Sequence, residues 1–113
     1  MKRDFSLAQA QARYGRLLRQ LSALGWISEG YVQDRGPGAG GPCYQWTRKV
    51  RQKTVSVALS KEQFAWLAQA IANWRQAKTI LKEMQQLSRE VLFTTVPNPT
   101  RRKHLGKKVL GLI

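Results

Sequence analysis

A single cysteine, Cys43, rules out an intramolecular disulfide and fits a reducing compartment. A single histidine, His104, excludes a multi-histidine metal site, and Cys43 has no second ligand near it in sequence. Acidic residues are scarce and scattered: Asp4, Glu29, Asp34, Glu62, Glu83 and Glu90. They offer no carboxylate pair for general acid–base work and no three-carboxylate metal site. No apolar run approaches the ~20 residues of a membrane span. No secretory signal is read at the start, where charged residues 1–4 lead into a polar segment. These scarcities predict a cytoplasmic protein that is not an enzyme and uses no metal or cofactor.

What is abundant is positive charge. Lys and Arg number 20 against 6 Asp and Glu, a formal net charge of +14. Self-repulsion on that scale opposes compaction. A polyanion relieves it, so nucleic acid is the expected partner, DNA before RNA. A membrane surface is the other anionic candidate, but no basic amphipathic helix of the interfacial kind is evident. Hydrophobic residues make up 42% of the chain, enough for a core. A length of 113 residues fits one domain.

The apolar spacing predicts a helix over residues 5–24, with Leu7, Ala10, Tyr14, Leu17, Leu18, Leu21 and Leu24 on one stripe and Gly25 as its stop. Residues 26–59 read as β structure. Strands are expected over 27–34, 43–50 and 54–59, with a Gly- and Pro-rich loop over 35–42. In the second strand Tyr44, Trp46, Arg48 and Val50 should face one way, and Gln45, Thr47, Lys49 and Arg51 the other. The few residues around Gln52 imply an antiparallel hairpin, although no Asn-Gly or Gly-Gly marks the turn. Ser60 followed by Gln63 is a capping-box start. The helix it opens carries Phe64, Leu67, Ile71, Trp74, Ala77, Leu81, Met84, Leu87 and Val91 at spacings of three and four, uninterrupted until Pro97. The expected fold is thus α+β: N-terminal helix, three-stranded antiparallel meander, long C-terminal helix. Residues 1–96 form the domain and 97–113 a flexible basic tail.

Two basic clusters are candidate nucleic-acid contacts. Arg48, Lys49, Arg51 and Lys53 gather near the hairpin tip, beside Gln45 and Thr47. A two-stranded ribbon fits the major groove; cations suit phosphates, while Gln, Thr and Arg suit base edges. The tail adds Arg101, Arg102, Lys103, Lys107 and Lys108 as sequence-independent phosphate contacts. The hairpin charges could equally be the protection of an ordinary edge strand. The aromatics, dense between Trp26 and Trp74, read mainly as core; Trp66 alone lies off the helix stripe and is a surface candidate. The glycines between Gly36 and Gly41 lack the Lys-Ser/Thr ending of a phosphate loop. One short helix should not cover the whole apolar stripe of the long one. Leu81, Met84, Leu87 and Val91 are therefore expected to meet a second copy or a helical partner.

Residues 41–90 carry a Gly-Pro, an aromatic strand Cys43-Tyr-Gln-Trp-Thr-Arg-Lys49, a basic turn, a strand Val55-Ser-Val-Ala-Leu59, and a long helix with the step Trp74-Arg75. This pattern is similar to a group of small uncharacterised prokaryotic proteins met beside transposases and other mobile elements. The resemblance implies an accessory or regulatory role in that setting. Three strands followed by a helix also look like the arm-DNA-binding domains of tyrosine recombinases, which lay a three-stranded sheet in the major groove. The stretch from Lys53 to Phe64 resembles the opening of a ribbon-helix-helix repressor, in which Thr54, Ser56 and Ala58 would read bases; that pattern departs here in lacking a Gly-type break near Asn73. A helical assembly protein, docking on itself or on a larger enzyme, is the alternative of a different class.

Overall fold

The structure is a computed structural model and describes residues 5–38, 43–100 and 103–113. Its elements are α1 (Leu7–Ser22), β1 (Tyr31–Asp34), β2 (Tyr44–Val50), β3 (Lys53–Leu59) and α2 (Lys61–Thr95). This is the expected α+β order, with a three-stranded antiparallel sheet ordered β1-β2-β3. Among the described residues no helix is long and apolar enough to cross a membrane.

The chain divides into two compact units. One comprises residues 24–77; the other combines residues 1–23 with 78–113. α2 contributes its first half to the one and its second half to the other.

In the first unit the sheet rests on the start of α2. That start is fixed by the capping box: the Gln63 N–H donates to Ser60 Oγ at 3.1 Å, and the Ser60 N–H donates to Gln63 Oε1 at 3.0 Å. Two backbone donors at the helix start are thereby served reciprocally. Tyr44 lies against Phe64, ring centroids 5.0 Å apart, and Ala70, Ile71 and Ala77 are buried. The connection before β1 is clipped to α2 at two points. The Ser28 N–H donates to the Ala70 carbonyl, and Asn73 Nδ2 donates to the Trp26 carbonyl.

β1 is shorter than the expected 27–34. Ser28 and Glu29 spend backbone groups on α2 and on Trp46 instead of on a ladder: the Ser28 N–H is given to Ala70, and the Trp46 indole N–H donates to the Glu29 carbonyl at 3.0 Å. Gly30 follows with φ +115, a conformation open to glycine and costly for any other residue. A Cβ there would also land on the Trp46 indole nitrogen.

In the second unit α1 packs on the later half of α2. Ala10 and Leu17 are buried from α1, and Ile80 and Met84 from α2. An ion pair joins the two helices, Arg13 Nη2 to Glu83 Oε2 at 2.7 Å. α1 ends earlier than the sequence suggests. Ala23, in right-handed conformation, is the C-cap, and its N–H is shared among the Arg19, Gln20 and Leu21 carbonyls; Gly25 plays no part in the stop.

The C-terminal residues 103–113 carry local structure. The Leu112 N–H donates to the Lys107 carbonyl at 2.9 Å, around Gly111 at φ +73. Arg89 Nη1 donates to the Gly111 carbonyl at 3.2 Å. The segment expected to be a flexible tail is thus seated on α2 at its far end.

Candidate nucleic-acid interface

The register of the sheet decides which side chains share a face. Tyr31 pairs with Thr47, and Gln33 with Gln45. Gln45 pairs with Ala58, Thr47 with Ser56, and Lys49 with Thr54. Because side chains alternate along a strand, Tyr31, Gln33, Gln45, Thr47, Lys49, Thr54, Ser56 and Ala58 stand on one face. The complementary set, with Tyr44, Trp46, Val57 and Leu59, meets α2. The first face is polar throughout except for Tyr31 and Ala58. The Thr47 and Ser56 hydroxyls bond to each other at 3.1 Å at its centre. Tyr31, Gln33, Lys49, Thr54, Ser56 and Ala58 are exposed.

The hairpin tip is a two-residue turn. Val50 pairs with Lys53, leaving Arg51 and Gln52 as its central residues, and both have positive φ, +50 and +69. Positive φ at both central positions is the mark of a type I′ turn, whose twist matches that of the strands. The turn exists without the Asn-Gly or Gly-Gly that normally announces it.

Arg51 accordingly sits in the turn and not on the ladder face with Gln45, Thr47 and Lys49, where strand alternation had put it. Arg48 and Lys53 belong to the opposite face. Arg48 holds its guanidinium over the Trp46 ring, the guanidinium carbon 4.8 Å from the centroid, a cation–π contact on an exposed residue. Arg48, Lys49, Arg51 and Lys53 are all exposed. The four cations therefore gather at the tip end of the hairpin, with Lys49 alone on the polar face, Arg51 in the turn, and Arg48 and Lys53 on the opposite face.

Lys103, Lys107 and Lys108 are exposed in the other compact unit; Arg101 and Arg102 lie outside the described residues. The expected partner stripe splits up. Met84 is 7% exposed and belongs to the core of the monomer. Leu87 and Val91, half-buried, line a groove with Leu7, Ala10 and Tyr14 of α1, and Leu81 is exposed. The stripe was expected to be bare because one short helix seemed unable to cover so long a partner. α1 covers its later half in part, burying Met84 and leaving Leu81 exposed, and the sheet takes the earlier half.

Tyr31 and Gln33 are face residues that the sequence pattern did not single out. Their signal was the alternation of a four-residue strand, which means little until its register against β2 is known. Among the described residues no group of three or more His, Cys, Asp or Glu could hold a metal ion. α2 runs unbroken past Asn73, and β3 pairs with β2 of its own chain. Both features depart from a ribbon-helix-helix arrangement.

Comparison with known proteins leaves the site to speak for itself. No protein-family model, curated protein or solved structure matches this chain.

Proposed function

We propose that the chain is a nucleic-acid-binding protein, acting on duplex DNA as an accessory or regulatory factor of the kind its resemblance to mobile-element proteins implies. The observation that carries this reading is the open face of the sheet. One face is engaged with α2. The other presents amide, hydroxyl and ammonium groups at strand spacing, with Arg51 and Lys53 at the tip. Gln and Thr can address base edges, and Lys and Arg phosphates. A net charge of +14 supplies the attraction that brings such a face to a polyanion.

The test is a salt titration of DNA binding by the full chain. With ~4–6 phosphates neutralised, the slope of log K against log salt should lie near −4 to −5. Thr47→Ala and Gln45→Ala should weaken a preferred site by ~1–3 kcal/mol and leave random sequence nearly unchanged. Duplex that stays unbound at low salt with micromolar protein rejects the reading.

A further inference from the structure

We propose that β3 is a docking edge for a second copy of this chain, forming a twofold dimer by antiparallel pairing of the two Lys53–Leu59 strands. β3 has β2 on one side only, so the outward N–H and C=O groups of a seven-residue strand point away from the sheet. Edges of this length are ordinarily protected by a charge, a proline, a bulge or a covering element. Among the described residues β3 has none of these between Lys53 and Lys61: residues 54–60 are uncharged and proline-free, and the pairing with β2 runs through all seven positions without a bulge. No other described residue is bonded to its outer side.

The side chains favour a second copy over an unrelated strand. Full overlap of Lys53–Leu59 with itself puts the twofold axis at Ser56. Val55 then lies opposite Val57 of the partner, Thr54 opposite Ala58, and Ser56 opposite Ser56. Apolar meets apolar on one face and small polar on the other, as a self-complementary contact requires. Val55 and Val57 are 36% and 41% exposed. Beneath them, Trp46, Val57, Leu59, Gln63, Trp66 and Leu67 line a groove of about 320 Å³ between sheet and helix. An added strand would bring its own Val55 and Val57 to the rim of that groove, beside Trp66. Lys53 and Leu59 fall opposite each other at the two ends, so the aliphatic stem of the lysine covers the leucine and its charge reaches water. Residues 54–60 carry no charge, so pairing them brings no like charges directly opposite each other.

Sedimentation of the full chain tests this. At about 1 M salt, where the Debye length is ~3 Å, a concentration-dependent dimer is expected. Val57→Lys should raise its dissociation constant by about tenfold or more while leaving the circular dichroism of the monomer unchanged. Leu87→Ala, in the groove between the helices, should leave the dimer intact. An independent arm uses thiols in a Cys43→Ser background. Ser56→Cys should form a disulfide-linked dimer on mild oxidation. Thr54→Cys should not, because four strand positions at ~3.4 Å each exceed the ~4.4–6.8 Å that a disulfide spans between Cα atoms. A chain that stays monomeric throughout overturns the proposal. So does a dimer that Val57→Lys spares, or equal cross-linking at 54 and 56. None of these measurements includes DNA, so their failure leaves the nucleic-acid reading standing, and failure of that reading leaves the dimer standing.

Discussion

Arg51 and Gln52 hold a backbone conformation that β-carbon-bearing residues adopt at a cost of ~1–2 kcal/mol each. Replacing either by glycine removes that cost and adds a smaller one in unfolded-chain entropy. Gln52→Gly should therefore raise the stability of the hairpin unit by about 0.5–1 kcal/mol, read as a higher thermal midpoint, and leave DNA affinity unchanged. Arg51→Gly should stabilise by a similar amount and yet weaken DNA binding at every sequence. That divergence would identify Arg51 as a residue retained for DNA binding at the expense of stability. An Arg51→Gly variant that keeps full affinity would contradict this. Gly30 is the opposite case. Its positive φ and the Trp46 indole above it leave no room for a side chain, so Gly30→Ala should cost at least ~2 kcal/mol. Trp46→Phe, which removes the hydrogen bond to Glu29, should cost about 1 kcal/mol. Thermal denaturation of the two variants orders them.

At the scale of elements, local chemistry explains what could be read from the sequence and what could not. α2 was legible because the Ser60–Gln63 box and an uninterrupted spacing of three and four point to the same helix. Ser60→Ala should accordingly lower stability by ~1 kcal/mol. β2 and β3 were legible from strict alternation, and with them the sharing of one face by Gln45, Thr47 and Lys49. The tip was harder. Its turn type depends on two φ values that Arg and Gln do not advertise, and Arg51 was therefore carried onto the wrong surface. β1 was read too long because the segment before Gly30 is apolar enough for a strand, while its true partners, Ala70, Asn73 and Trp46, are remote in sequence. The fate of Met84 was illegible for the same reason. Periodicity shows that a stripe exists and not which element covers it. Since Met84 is buried within the monomer, Met84→Ala should cost ~2–5 kcal/mol of folding free energy. The measurement is denaturant unfolding, and the effect should not depend on protein concentration.

For the whole molecule the question is how two basic regions divide the labour. The hairpin cations sit on a hydrogen-bonded ribbon and can meet a groove in one register. Lys103, Lys107 and Lys108 lie toward the C-terminal end of the sequence, exposed and in a different compact unit. Changing Lys49 and Arg51 together to Ala should lower affinity and flatten the preference for one sequence over another. Changing Lys103, Lys107 and Lys108 to Ala should weaken all sequences alike and reduce the salt slope by up to ~1 for each phosphate no longer neutralised. Binding to a preferred site, a scrambled site and a random pool separates the two outcomes. If the C-terminal variant alone abolishes preference, the reading surface has been assigned to the wrong unit.

Trp26 and Trp66 stand beside each other at the surface, ring centroids 6.5 Å apart, 76% and 56% exposed. Trp46 and Trp74 are half-buried. The chain therefore carries its own optical probe. Emission from the exposed pair should be red-shifted and open to collisional quenchers such as iodide, while the other two indoles respond weakly. Trp66 borders the groove under the β3 edge, and Trp26 sits next to it, so whatever settles on that edge should shield the pair. Quencher accessibility then reports occupancy of the edge in the unlabelled, unmodified protein. A duplex lying only on the polar sheet face would leave the same signal largely unchanged.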